Sequence, residues 1–150
     1  MKMIASFTVN HDTLDKGMYI SRIDGDVITY DIRMKRPNGG DYLNMSAAHT
    51  VEHLFATFAR NSCFSDEVLY VGPMGCRTGF YLLVRNADNF KVLSELKIAL
   101  KKTVDFDGEI FGGTKKECGN YKCLSLDSAK IECKKYLDAL ENMNDIDFKY

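Results

Sequence analysis

The chain has 150 residues, the length of one ordinary domain, and 45% of them are hydrophobic, enough to build a core. Twenty Lys and Arg stand against 21 Asp and Glu, a formal net charge of -1. That balance argues against the clustered positive charge of a nucleic-acid binder and gives no attraction to an anionic membrane surface.

No run approaches the ~18 apolar residues that a membrane span needs. The opening Met1-Lys2-Met3-Ile4-Ala5-Ser6 reaches His11 and Asp12 before an apolar signal region develops. The expectation is a cytoplasmic protein folded as a single domain over residues 1–150. The cysteines are Cys63, Cys76, Cys118, Cys123 and Cys133. An odd count in such a chain speaks against a disulfide framework and leaves thiols for packing, metal binding or catalysis.

In chain order, Met18 to Ile23 and Val27 to Met34 read as strands, with Asp24-Gly25 as a hairpin signal between them. Pro37-Asn38-Gly39-Gly40 is a loop. Ser46 is the candidate cap of a helix running to about Asn61, on which Val51, Leu54, Phe55 and Phe58 form an apolar stripe. Val68 to Val71 and Phe80 to Val84 suit strands around a turn from Gly72 to Gly79. Phe90, Leu93, Leu96 and Leu100 mark a second helix. Asp105 to Gly119 reads mainly as loop, with room for a short strand. Leu126, Ala129, Cys133, Tyr136, Leu137 and Leu140 mark a third helix capped by Ser125. Strands and helices mix without strict alternation, so the expected class is α+β, an antiparallel sheet packed against helices.

The chemistry concentrates in His49-Thr50-Val51-Glu52-His53, an H-x-x-E-H pattern. Helical residues four apart lie about 40° apart around the axis, so both imidazoles can reach one metal ion. Glu52 sits beside the second histidine, near enough to move a proton there. The bland reading is two polar residues on a helix face. A metal site also needs a third ligand, and His11 and the cysteines are all candidates that spacing does not separate. Cys76 lies in a Gly-rich turn beside Arg77, whose charge would favour a reactive thiolate. A buried packing cysteine is the alternative. Cys118 lies in a polar loop, whereas Cys63 and Cys133 read as structural. Cys123 follows Cys118 by five residues, not the C-x-x-C spacing of a zinc knuckle. Arg33 can bind a carboxylate, although in isolation it reads as a surface arginine on a strand.

Several segments together carry a resemblance. They are Ser6-Phe7-Thr8-Val9-Asn10-His11, Tyr30-Asp31-Ile32-Arg33, and His49-Thr50-Val51-Glu52-His53-Leu54-Phe55-Ala56. Pro73-Met74-Gly75-Cys76-Arg77-Thr78-Gly79-Phe80-Tyr81 and Glu117-Cys118-Gly119 follow. In this order the chain resembles the S-ribosylhomocysteine lyase family, the enzymes that make the precursor of autoinducer-2. The resemblance implies that Cys118 is the third metal ligand with His49 and His53. It implies that Glu52 and Cys76 are the acid–base pair, and that Ser6, His11 and Arg33 hold or polarise the substrate. It further implies a homodimer with active sites at the interface, and ferrous iron as the metal, with zinc or cobalt able to replace it.

The chain departs from the family pattern in one place. Members usually carry Asp-Ile-Ser before Pro-Met-Gly-Cys, and here Tyr70-Val71-Gly72 stands instead. Tyr70 supplies no carboxylate at neutral pH. The first hairpin also looks shorter than the family's. Two other classes stay open on the residues alone. H-x-x-E-H also occurs in inverted zincin peptidases, and a divergent member would bind metal without turnover.

Overall fold

The computed structural model describes residues 7–143 and 146–150. Ser6, one of the expected substrate-binding residues, lies outside them. Strand β1 spans Gly17–Asp24 and β2 spans Val27–Arg33. They pair antiparallel with Asp24 opposite Val27, so the hairpin loop is Gly25-Asp26 rather than Asp24-Gly25. Gly25 takes φ 62°, the first central position of a type II′ turn, whose twist matches the flanking strands.

Helix α1 spans Met45–Ala59. Its cap is Asn44, not Ser46. The Asn44 side chain accepts from the Ala47 amide at 2.7 Å and from the Ser46 hydroxyl at 3.0 Å, so Ser46 serves the cap instead of being it. Strands β3 (Val68–Pro73) and β4 (Gly79–Arg85) form the second hairpin. Helix α2 spans Asn89–Asp105, capped by Asp88, and α3 spans Leu126–Glu141, capped by Ser125 as expected. Between α2 and α3 there is no strand among the described residues.

The sheet order is β1-β2-β4-β3, antiparallel throughout. Side chains alternate between the faces of a strand, and the register sorts them. One face lines up Met18, Ile32 and Phe80, then Ile20, Tyr30 and Leu82. These pack with Val51 and Phe55 of α1, Leu96 and Leu100 of α2, and Tyr136 and Leu140 of α3 in one core. The other face carries Tyr19, Asp31 and Tyr81 in register, with Arg33 two residues along from Asp31. An antiparallel sheet with helices on its apolar face is the expected α+β class.

Two ties hold this frame together. Tyr136 is fully buried, and its hydroxyl donates to the Gly17 carbonyl at 2.6 Å, joining α3 to the start of β1. Burial pushes its phenol well above the usual tyrosine range. Tyr136→Phe deletes that one buried hydrogen bond and is expected to cost about 1 kcal/mol in denaturant unfolding. An unchanged unfolding midpoint would show that the bond contributes nothing. The second tie is the segment 146–150, which folds back on β1. The Ile20 amide donates to the Phe148 carbonyl at 2.8 Å, and Phe148 is buried edge-to-face on Phe90.

Candidate metal centre and thiol network

Helix α1 buries Val51, Leu54 and Phe55, leaving His49 and His53 one turn apart on its half-buried border. Thr50 between them is fully buried. Its hydroxyl donates to the Ser46 carbonyl and accepts from the Ser125 amide, both at 2.8 Å. The end of the 106–125 loop is thereby tied to α1.

The same loop orients both imidazoles. His49 Nδ1 donates to the Cys123 carbonyl at 2.8 Å, and His53 Nδ1 donates to the Phe111 carbonyl at 2.7 Å. A carbonyl only accepts, so each ring carries a proton on Nδ1, and in that neutral tautomer Nε2 is the nitrogen that offers a lone pair. The two Nε2 atoms lie 3.1 Å apart, and Cys118 Sγ lies 3.4 Å from His49 Nε2. Two lone pairs facing each other repel unless a cation stands between them. A tetrahedral ion with Zn–N bonds of about 2.0–2.1 Å would hold two nitrogens roughly 3.3 Å apart. The spacing therefore fits one ion, and His49, His53 and Cys118 are together able to hold it.

Local backbone supports the candidate ligands. The Asn120 amide donates to Cys118 Sγ at 3.4 Å, which suits a thiolate. Gly112, next to the carbonyl that holds His53, has φ 65°, and a Cβ there would sit 3.3 Å from His53 Nδ1. Glu52 is half-buried on α1 and makes no hydrogen bond or ion pair with the described residues. His11 is outside the ligand cluster, its Nδ1 bonded to the Val9 carbonyl at 2.9 Å.

Cys76 belongs to a second group. Its turn is closed by Met74 N to Gly79 O and Arg77 N to Met74 O, both 2.9 Å. The thiol is exposed, not packed, and Sγ lies 3.0 Å from Thr78 Oγ1. Arg33 Nη1 donates to the same oxygen at 2.6 Å, while Arg33 Nη2 pairs with Asp31.

Arg33 is thus no surface arginine: it is 3% exposed. Asp31, two residues earlier on the same face of β2, neutralises it and makes its burial tolerable. Burial opposes the Arg33 charge, but the Asp31 carboxylate more than offsets this and raises its pKa. Burial likewise raises the Asp31 carboxyl, with the Arg33 charge and hydrogen bond opposing. Asp31 Oδ1 and Arg33 Nε are buried without a hydrogen-bond partner among the described residues.

No hydrogen bond or ion pair among the described residues joins the Cys76 group to the His49, His53 and Cys118 cluster. Of the remaining cysteines, Cys133 is buried and its thiol is pushed up to about 12 by that burial, as a structural role requires. Cys63, read as structural, is exposed, and its thiol lies 3.4 Å from the Glu95 carboxylate. Tyr70 is 52% exposed with its ring across Gly72, so closely that a side chain at Gly72 would collide with the phenol. Tyrosine at the first position and glycine at the third are therefore one joint departure.

Thr50, Thr78 and Asp31 escaped the sequence reading. Thr78 and Asp31 carry a signal in hindsight, each two residues from a candidate site residue along extended or turn backbone. The partner of Thr50 is 75 residues away, and no local pattern announces it.

Residues 4–146 match the family described as S-Ribosylhomocysteinase (LuxS). A protein of Borrelia garinii subsp. bavariensis named S-ribosylhomocysteine lyase is 43% identical, the alignment covering 100% of this chain and 99% of that protein. One of the same name from Clostridium acetobutylicum is also 43% identical with the same coverage. One from Phocaeicola vulgatus is 45% identical over 95% of this chain and 93% of its own length. On matches of this extent the chain belongs to the S-Ribosylhomocysteinase (LuxS) family.

Proposed function

We propose that this chain is a metal-dependent S-ribosylhomocysteine lyase, releasing homocysteine and 4,5-dihydroxy-2,3-pentanedione, the autoinducer-2 precursor. One observation carries the reading: His49 Nε2, His53 Nε2 and Cys118 Sγ converge on one point in a member of the S-ribosylhomocysteinase family. The sequence alternatives recede, since a peptidase reading does not use the Pro73-Met74-Gly75-Cys76 turn and a non-catalytic one leaves Glu52 and Cys76 without a task.

A divalent ion held by His49, His53 and Cys118 supplies a Lewis acid for the sugar oxygens. The chain's own residues then move protons. Each of two enolisations removes a proton from the carbon beside a carbonyl and returns one to the former carbonyl carbon, so the carbonyl migrates without loss of atoms. The last step takes the proton beside the carbonyl while the C–S bond breaks. Homocysteine leaves with the bonding pair and gains a proton. Glu52, with a carboxylate engaged by nothing else in the described chain, serves one side of the sugar. Cys76, as a thiolate facing Thr78, serves the other. Arg33, His11 and Ser6 hold or polarise the substrate.

The metal we propose is ferrous iron, with zinc or cobalt able to replace it. Two neutral imidazoles and one thiolate leave such an ion with net charge about +1, borderline-soft in its donors and still electrophilic. The assembly is a homodimer with its active sites at the subunit interface, which accounts for two chemically complementary groups that make no hydrogen bond to each other among the described residues of one chain. Among the described residues no helix is long and apolar enough to cross a membrane, and five free cysteines support the cytoplasm as the compartment.

The test is incubation of the iron-loaded protein with S-ribosylhomocysteine while free homocysteine is followed. Release no faster than with metal-stripped protein would remove the reading. A narrower expectation concerns Gly112. Gly112→Ala strains a backbone at positive φ and presses on His53 Nδ1. Titration with zinc is expected to show affinity roughly tenfold weaker, the scale of a disturbed hydrogen bond behind a metal ligand. Unchanged affinity would mean that the Phe111 carbonyl does not orient His53.

A further inference from the structure

We propose that Tyr150 is a positioning residue for Cys76, its hydroxyl acting through Asp31, Arg33 and Thr78 to fix the hydrogen-bond donor that faces the thiol. The inference rests on the reading of Cys76 as an acid–base group and extends it to a residue linked to the thiol through Asp31, Arg33 and Thr78.

The chain of contacts is continuous. Tyr150 Oη donates to Asp31 Oδ2 at 3.0 Å. The same oxygen accepts from Arg33 Nη2, Arg33 Nη1 donates to Thr78 Oγ1 at 2.6 Å, and Thr78 Oγ1 lies 3.0 Å from Cys76 Sγ. Polarity runs one way along it. Arg33 has only N–H groups to offer, so it occupies a lone pair of Thr78 and leaves that hydroxyl's proton for another acceptor. A Cys76 thiolate is that acceptor.

Asp31 is the weak point that Tyr150 secures. It is fully buried, and its other oxygen has no hydrogen-bond partner among the described residues. Its donors are therefore Arg33 and Tyr150. Burial drives the carboxyl toward its neutral form, and the Arg33 and Tyr150 hydrogen bonds oppose this. Without the phenol, the buried carboxylate holds one donor fewer, and its grip on the Arg33 guanidinium slackens. Tyr150 itself is held in place twice. Its ring stacks on Tyr19 with centroids 5.2 Å apart, and Phe148 two residues earlier is bonded to β1 through the Ile20 amide and buried against Phe90. The phenol's own pKa is raised by burial and by Asp31, so it remains a donor throughout the working range.

The experiment is a set of Tyr150→Phe, Thr78→Val and the double variant in the full metal-loaded protein. Carbamidomethylation of Cys76 by iodoacetamide at pH 7 is timed by peptide mass spectrometry, with exposed Cys63 as the internal control. Tyr150→Phe keeps the stacked ring and loses only the hydroxyl. The Cys76 rate is expected to fall roughly three- to tenfold, the range of one hydrogen bond to a charged group, with the Cys63 rate unchanged. Lyase kcat falls in step while KM and metal content hold. Once Thr78 has lost its hydroxyl, Tyr150→Phe should have no further effect on Cys76, because both act through one path. Equal Cys76 rates in wild type and Tyr150→Phe, losses that add in the double variant, or a parallel slowing of Cys63 would each overturn the proposal. The acid–base reading fails separately: fully alkylated wild type that still turned over would sink it without touching the link from Tyr150 to the thiol.

Discussion

Cys118→Ala is expected to lose metal and turnover together. Three side-chain atoms converge on the site, and Cys118 is the one of them that would bind a cation as an anion. Without it, two neutral imidazoles remain, held at 3.1 Å by Nδ1 bonds to the Cys123 and Phe111 carbonyls. They still present lone pairs, but nothing balances a divalent charge. Disturbing a group behind a ligand already costs about 10–100-fold in affinity, and removing a ligand outright should exceed 100-fold. Metal analysis of the purified variant should find little bound ion, and homocysteine release should fall below roughly 1% of wild type, consistent with loss of Lewis-acid catalysis. The fold should persist, because Cys118 lies in the 106–125 loop and outside the buried core. A variant that retains metal at wild-type occupancy would show that the third ligand lies elsewhere.

Cys76→Ala separates chemistry from metal binding. Cys76 touches Thr78 and none of His49, His53 or Cys118 among the described residues. The variant should keep its metal while kcat drops by about 10²–10⁴-fold, the contribution of a positioned acid–base group. Cys76→Ser tests the same point at nearly constant volume, since a serine hydroxyl is a far weaker proton carrier near neutral pH than a thiolate. Measuring metal content and single-turnover rate on one preparation distinguishes the outcomes. Full activity in either variant would remove Cys76 from the acid–base pair, and loss of metal in both would mean that the two groups are not independent.

The helix that carries His49 and His53 is legible because its information is local. A period near four puts His49 and His53 on one side, and the stripe of Val51, Leu54 and Phe55 states which side is buried. The third helix and its Ser125 cap were legible for the same reason. Cys118 was not, because the distance between a loop residue and a helix 65 positions earlier is set by tertiary contacts such as Thr50 to Ser125. It entered through a family resemblance rather than through spacing. The α1 cap was misplaced because Asn44 and Ser46 are both good caps two residues apart, and only the backbone decides between them.

Sequence alone places Arg33 at the surface for a physical reason. A charged residue on a strand is normally solvated, and the exception depends on partners. Asp31 is close in sequence, but Thr78 lies 45 residues away, and Tyr150 reaches Asp31 across 119. A polar network of that kind is assembled by the sheet register, with Arg33 opposite Gly79 and Asp31 opposite Tyr81. Sequence periodicity does not contain it. Tyr70 shows the reverse: its departure from the family pattern was visible at once, and its geometric complement in Gly72 became clear only from the ring lying across that residue.

The proposed chemistry leaves a mark on its product. Elimination of homocysteine converts the sugar's sulfur-bearing carbon into an enol terminus, which becomes a methyl group by taking a proton from solvent. Proton NMR of S-ribosylhomocysteine with the iron-loaded protein in D₂O follows cleavage and proton origin in one experiment. The expected result is stoichiometric homocysteine together with a pentanedione whose methyl carbon carries deuterium. Substrate that persists unchanged, or homocysteine released beside an intact ribose without deuterium on carbon, would contradict lyase action by carbonyl migration and elimination.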